Sequence, residues 1–348
     1  MNVKIASLLI IVLSNHGYWI GGQPETVILH SAVQGGLPRA ELFYELKIDG
    51  VRLDNGRVAF LEKGTVVRIN VPRVRVRITL HWVYRLVDIG GKELETGDVP
   101  ISVFPDDLMM GLAKRVDQKR LIVWDEPTGL PKLLDSAKVP YHRVSSAGKL
   151  QLEQADVVLV GPEQLDDSPF AQSPLLNLAK AGSSVMLFRQ TRARRLMGYA
   201  LAIRKPPANL DWRMDHPLLA GFDKRDLQSW IVDDVPLNVV QLPADEPVLE
   251  VGYYPREIAG EVPAPIDSIL LTKTVGKGRI VICQIPLGDW QTDPRSQMFL
   301  NNAMDYLLTR PGPTPRPGPT PRPSERPDAR PIAVQPIPTM PMFPGDHP

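Results

Sequence analysis

From about Glu25 to Pro105 apolar and polar residues alternate with a period of two. Val66, Arg68 and Asn70 interleave with Val67, Ile69 and Val71, and Arg73, Arg75 and Arg77 interleave with Val74, Val76 and Ile78. Successive side chains of a strand point to opposite faces, so this pattern predicts sheets with one buried and one wet face. Turn signals at Asp49-Gly50, Asp54-Asn55-Gly56, Lys63-Gly64, Gly90-Gly91 and Thr96-Gly97 divide the segment into short strands. Residues 25–105 are therefore expected to form an antiparallel β-sandwich of immunoglobulin type. Trp82 and Tyr84 share a face with Leu80 and Leu86 and read as its core, with a sugar-stacking platform as the alternative.

After Pro105 the pattern changes. Asp106 to Lys114 reads as a short helix and Arg120 to Trp124 as an apolar strand ending in Asp125-Glu126-Pro127. Gly129 to Ala137 reads as a helix, Ala155 to Gly161 as a second buried strand, Pro174 to Ala181 as a helix and Ser184 to Phe188 as a third strand. Continuous apolar strands alternating with amphipathic helices predict an α/β domain over residues 106–310 whose sheet is mostly parallel and covered on both faces. Further on, Val275-Gly-Lys-Gly278 joins two strand-like runs as a hairpin. Asp293-Pro294 then opens a helix to Leu308, with Asp at the N-cap and Pro in the first turn.

The two ends differ from the middle. Lys4 followed by the apolar run Ala6 to Leu13 has the order of a secretory leader, and about eight residues span only ~12 Å as a helix, too short for a bilayer. Residues 1–22 are accordingly expected to be a signal peptide, and the protein to be secreted or periplasmic. An apolar first strand of a cytosolic protein is the alternative, because Val12-Leu13-Ser14, Gly17 and Gly22 offer no clean Ala-x-Ala site. In residues 311–348, 14 of the 38 are Pro, and Arg-Pro-Gly-Pro-Thr-Pro occurs twice in tandem. Such a segment buries too little apolar surface to offset its ordering entropy, so it is expected to be a disordered, extended tail, a spacer or a ligand for a polyproline-binding groove.

Composition narrows the function. The 348 residues suit about two domains, since single cores rarely grow past roughly 250 residues. Lys and Arg number 40 against 39 Asp and Glu, so no broad positive field is available for nucleic acid, and no nucleic-acid partner or transmembrane span is expected. The lone Cys283 cannot form an intramolecular disulfide.

Signatures of catalysis are missing. About 200 residues lie between sandwich and tail, too few for the eight-stranded barrel that carries the paired carboxylates of many glycosidases. Asp125 and Glu126 do follow a strand, where open α/β sheets place ligands, but adjacent residues point apart, and Asp125 reads mainly as a helix-capping or turn residue. No Gly-x-Ser/Cys-x-Gly elbow follows the third strand, and Cys283 lies inside an apolar run as a structural thiol. The six His are dispersed, which gives no metal-ligand spacing; His142 and His216 read as turn or packing residues. Gly276-Lys277-Gly278 lacks the rest of a phosphate loop. Arg189, Arg192, Arg194 and Arg195 cluster after the third strand, suited either to bidentate contact with an acidic sugar or partner carboxylate, or to a solvated helix face.

The order of several segments resembles a known family. Arg120-Leu-Ile-Val-Trp-Asp-Glu, Ala155-Asp-Val-Val-Leu-Val-Gly, Asp215-His-Pro-Leu-Leu-Ala-Gly-Phe, Asp226-Leu-Gln-Ser-Trp230, the run from Val275 to Leu287 and Asp293-Pro-Arg-Ser-Gln through Tyr306-Leu-Leu resemble the class I glutamine amidotransferase-like domain of bacterial family 2, β-galactosidase-type glycoside hydrolases. Trp82-Val-Tyr-Arg-Leu-Val-Asp, Gly91-Lys-Glu-Leu and Val103-Phe-Pro105 look like the immunoglobulin-like module that precedes such domains. The resemblance spans roughly Val66 to Arg310 and implies a flavodoxin-like, amidotransferase-like α/β fold. It carries over neither the amidotransferase nucleophile nor the β-galactosidase carboxylates, for which no positions match.

The expectation is a secreted, non-catalytic accessory or scaffold protein without cofactor or metal, whose partner is a carbohydrate or a glycoside hydrolase. Asp125, Glu126, His216, Arg189 and Arg192 are its candidate ligand-binding residues. The competing reading is a glycoside or amide hydrolase with a degenerate site around Asp125, Glu126 and His216.

Overall fold

The alternation of the first hundred residues folds as two facing sheets. The computed structural model describes residues 9–32, 39–61, 64–127, 129–151, 153–205, 210–231, 236–243, 246–254, 266–287 and 289–309; the expected tail lies outside them. Eight strands come first: β1 (Leu9–Leu13), β2 (Tyr18–Ile20), β3 (Pro24–Ser31), β4 (Ala40–Ile48), β5 (Val51–Phe60), β6 (Thr65–Asn70), β7 (Ile78–Asp88) and β8 (Glu93–Phe104). One sheet has the order β1-β3-β6 and the other β2-β8-β7-β4-β5, with every pairing antiparallel except β2 with β8. In β6, Thr65, Val67 and Ile69 are buried while Val66, Arg68 and Asn70 are exposed, as the alternation requires. Trp19, Leu29, Leu42, Leu80, Trp82 and Leu86 meet in the core between the sheets. Trp82 is fully buried and stacks on Tyr84 at 5.1 Å, which makes the pair core and not an exposed sugar platform.

Two turn signals and one strand-like alternation are corrected. Asp54-Asn55-Gly56 and Thr96-Gly97 lie inside β5 and β8 and do not end them. Gly56 faces Tyr44 across the ladder and Gly97 faces Tyr84; a Cβ at either glycine would lie 2.4 Å from the facing ring, so these glycines make room for an aromatic neighbour. Arg73 to Arg77 alternates with apolar residues yet forms no strand. At the N-terminus, Leu9–Leu13 is an edge strand on β3, and the fully buried Trp19 donates its indole N–H to the Ser14 carbonyl at 2.9 Å.

The second half contains β9 (Leu121–Trp124), β10 (His142–Val144), β11 (Val157–Val160), β12 (Ser184–Leu187), β13 (Arg195–Leu196), β14 (Tyr199–Arg204), β15 (Asp211–Trp212), β16 (Leu237–Leu242), β17 (Leu249–Tyr253), β18 (Ile266–Val275) and β19 (Gly278–Cys283). Its helices are α1 (Leu112–Val116), α2 (Leu130–Ser136), α3 (Ala147–Leu150), α4 (Pro169–Ala181), α5 (Lys224–Gln228) and α6 (Pro294–Leu308). The described chain is thus β-rich, with few and mostly short helices.

The mostly parallel sheet expected from the sequence is corrected to a mixed one. Only β10-β9-β11-β12-β19 run parallel, in that order. Beyond β19 the sheet continues antiparallel through β18, β16, β14 and β13, with β17 on β18 and β15 on β17. A parallel neighbour requires a long crossover, whereas the chain between β12 and β19 makes an antiparallel excursion that returns through the expected hairpin, Val275 opposite Gly278. The parallel strands are apolar on both faces for the expected reason. Leu121 and Val123 join a core with α2 and α6, while Ile122 and Trp124 join another with α4.

Arginines join the halves, Arg225 among them through the Pro100 carbonyl at 3.4 Å. Arg77 forks onto Asp226 with bonds of 2.5 and 2.7 Å, reaches Asp223 at 3.2 Å and Ser102 at 3.1 Å, and lies 5.1 Å from the centre of the Phe104 ring. Arg295 stacks 3.9 Å over Tyr18 and 5.1 Å over Trp230 and pairs with Asp293 at 2.8 Å. Tyr18 also donates its hydroxyl to Ser229 at 3.0 Å.

Candidate functional site

The parallel strands deliver their carboxyl ends to one edge. The chain passes from β9 to β10 on one side and then crosses back to β11 on the other, so a crevice opens beyond β9 and β11, the usual ligand position of an open sheet of this kind. A cleft of about 460 Å³ lies there. Trp124 and Glu126 line it from the end of β9, Ser145 and Ser146 from the end of β10, Glu163 from the end of β11, and Arg192 from the segment after β12.

Asp125, between the lining residues Trp124 and Glu126, does not itself line this cleft. It is buried, its Oδ2 accepts the Leu130 N–H at 2.8 Å, and its carbonyl accepts from Arg143 Nε at 3.0 Å. Burial raises its pKa above the ordinary carboxylate value, opposed by the backbone bonds from Leu130 and Glu126. The side chain leans over Gly161, where an added Cβ would fall 2.0 Å from the Asp125 carboxyl carbon. Asp125 thus tethers the start of α2, the capping role expected of it, and Glu126 alone of the two carboxylates reaches the cleft.

The floor is held by a buried amide. Gln190 accepts the Leu165 N–H at 2.8 Å and donates to the carbonyls of Gly161 and Phe188 at 2.8 and 2.6 Å, while its own N–H donates to Gln284 at 3.1 Å. This network ties the ends of β11, β12 and β19 together. Glu163 has φ of 59°, the left-handed region uncommon outside glycine, and its Oε2 accepts from both the N–H and the hydroxyl of Thr191 at 2.9 Å.

The remaining candidates scatter. The arginine cluster is not a helix face: Arg189 is half-buried and its carbonyl accepts the Glu163 N–H at 3.0 Å, Arg192 is exposed in the cleft wall, Arg194 pairs with Asp167 at 3.9 Å, and Arg195 opens β13. His216 lies at the other end of the sheet. It caps a 3₁₀ turn, accepts the Leu218 N–H at 3.2 Å, and meets the Tyr306 ring edge-on at 4.9 Å; Tyr306 in turn accepts, through its carbonyl, from Arg279, which pairs with the first residue of β12. Burial, reinforced by Arg213, lowers its pKa to about 4. Asp125, Glu126 and His216 therefore do not converge. Cys283 is fully buried in β19, and burial pushes its thiol up to about 12. Among the described residues no group of three or more His, Cys, Asp or Glu is placed to hold a metal ion, and no helix is long and apolar enough to cross a membrane.

Ser145, Ser146, Glu163, Gln164 and Asp166 were not singled out by the sequence. Those after β11 follow Gly161-Pro162 directly beyond a recognised strand, a legible position; those after β10 were hidden because His142–Val144 is too short to show a period.

No family model and no curated protein matches the chain. Among solved structures it is similar to a Niemann-Pick type C2 protein from the Japanese carpenter ant, at 12% identity and a TM-score of 0.19 over 27% of this chain and 89% of that one. It is also similar to a family 76 glycoside hydrolase from a bovine Bacteroides thetaiotaomicron strain, at 10% identity and a TM-score of 0.23 over 32% and 24%. Cwp6 from Clostridium difficile matches at 9% identity and a TM-score of 0.19 over 52% and 37%. Likenesses this weak carry no argument about function.

Proposed function

We propose that this protein is a non-catalytic accessory or scaffold protein, exported from the cell, that works with carbohydrate-degrading enzymes or extracellular glycan. One observation carries the reading: among the described residues that line the cleft, no hydroxyl or thiol sits beside an imidazole. A nucleophile elbow sets its side chain on a strained turn beyond a strand. The left-handed turn after β11 bears Glu163 instead, held by Thr191, and the single thiol is sealed inside β19. Among the described residues no imidazole lines the cleft to take a proton from Ser145 or Ser146.

The finer fold assignment belongs to the same proposal. Two largely antiparallel sheets around a buried Trp82 support an immunoglobulin-like module. The order β10-β9-β11-β12-β19, which is 2-1-3-4-5 among the parallel strands, supports the flavodoxin-like, amidotransferase-like reading of the second half. Capture from the native secretome, with a glycan array in parallel, tests the function. A bound glycan or a co-purifying glycoside hydrolase is expected. Turnover of aryl-glycosides or glutamine, abolished by Asp125→Asn, would replace the reading with an enzyme; a blank result in both assays would remove it.

A further inference from the structure

We infer that the cleft between the ends of β9, β10 and β11 binds a neutral oligosaccharide and excludes acidic ones, with Ser145, Ser146 and Glu126 as its contacts. The inference rests on the accessory reading and gives that reading a location. The cleft's volume, about 460 Å³, lies in the range of small-ligand sites, but its walls are too polar for an apolar guest.

Its hydrogen-bonding groups are mixed and in part uncommitted. Among the described residues, the Glu126 carboxylate, the Arg192 guanidinium and the Ser145 and Ser146 hydroxyls have no hydrogen-bond or ion-pair partner. Gln164 uses its amide N–H on the Pro162 carbonyl at 3.1 Å, which leaves its oxygen as an acceptor, and Asp166 spends one oxygen on the Ser168 N–H at 2.9 Å. A set that alternates donors with acceptors matches hydroxyl groups, each of which donates one bond and accepts others. Ala147, Pro162 and Ala171, each partly exposed, contribute an apolar surface beside them, as a sugar's C–H face requires.

Charge decides the class of sugar. Glu126, Glu163 and Asp166 place three carboxylates on the lining against the single guanidinium of Arg192. The anionic group of a uronate, sulfate or phosphate entering this cleft would face net repulsion, and its charged oxygens, acceptors only, could not donate to the carboxylates. The acidic sugar suggested by the arginine cluster in the sequence is thus the poorer guest, because only Arg192 of that cluster reaches the cleft.

Titration calorimetry on the full chain with cellohexaose, xylohexaose, a galactose hexamer and a galacturonate hexamer tests the inference. At least one neutral hexamer is expected to bind, and the galacturonate hexamer is not. The double variant Ser145→Ala/Ser146→Ala is expected to weaken the neutral ligand about tenfold. Glu126→Gln removes charge while keeping an acceptor, so it should retain neutral binding and narrow the discrimination against galacturonate. Preference for galacturonate, or neutral binding indifferent to the serine pair with a discrimination unmoved by Glu126→Gln, overturns the inference; the second result moves the sugar contact elsewhere and leaves the accessory reading intact. If no hexamer binds, the inference falls, and recovery of a hydrolase partner from the secretome then decides the accessory reading separately.

Discussion

A methyl group on Gly161 would occupy space that Asp125 fills, and Asp125 has nowhere to retreat without releasing the Leu130 N–H at the start of α2. The site's geometry thus depends on a residue without a side chain. Gly161→Ala is expected to lower stability by about 2 kcal/mol, the usual scale for an overpacked buried contact, as read from urea denaturation midpoints. Asp125→Asn keeps an acceptor for Leu130 and should cost far less. His216 sets a pH dependence at the opposite end of the sheet. Its folded pKa of about 4 lies below the ordinary value of 6.5, so between these limits the unfolded chain binds a proton that the folded chain refuses. Stability from this group is complete above pH 6.5 and is lost as the pH falls towards 4, by about 3 kcal/mol in all. Burial is the main cause; Arg213 and Arg279 oppose the imidazolium and Asp215 favours it. His216→Asn keeps an acceptor for the Leu218 N–H and should flatten the loss, measured as the difference between the two proteins' denaturation midpoints at pH 7 and pH 4.5.

At the scale of elements, the N-terminal strands make opposite demands on sequence and structure. A leader ending near Gly22 would take β1 and β2 with it, including the fully buried Trp19 and the Tyr18 ring under Arg295. A chain starting at Gln23 is expected to lose several kcal/mol, because deleting a buried Trp side chain alone costs about 3–5 kcal/mol. N-terminal sequencing of the native protein, set beside the midpoint of the shortened chain, distinguishes a leader from a strand. Where the sequence was legible, one physical signal dominated each element. Asp293-Pro294 opened α6 because its side-chain oxygen accepts the Arg295 N–H at 2.9 Å, and β9, β11 and β12 stood out because both of their faces are buried. The strands β13 to β17 did not stand out, since pieces as short as Arg195–Leu196 and Asp211–Trp212 carry no measurable period and owe their conformation to the neighbouring ladder. Half the cleft was hidden for the same reason: Glu126 and Arg192 were named from strand ends, whereas Ser145 and Ser146 follow the three-residue β10.

Across the whole molecule, the two halves share their most expensive residue. Asp226 is buried at 1% exposure, and the guanidinium that neutralises it comes from Arg77 in the sandwich. Asp226 also completes a capping box with Asp223 at α5, so the same carboxylate closes a helix in one half and anchors the other half to it. Removing one partner of such a pair leaves an uncompensated buried charge, a loss of about 3–5 kcal/mol. Arg77→Ala is therefore expected to destabilise the chain by that amount, and Arg77→Lys to recover only part of it, because an ammonium cannot fork onto both carboxylate oxygens. The interface makes a further demand that a local defect would not. If Arg77 and Arg295 couple the halves, hydrogen exchange in β4, β7 and β8 and in β11, β12 and β19 should report the same opening free energy in the native protein. In Arg77→Ala the two sets should separate, the sandwich exchanging first, since it loses its anchor while the mixed sheet keeps both of its helical layers. Equal exchange of the two sets in the variant would mean that the remaining contacts, Arg295 against Tyr18 and Trp230, Tyr18 on Ser229 and Arg225 on Pro100, hold the halves together without it.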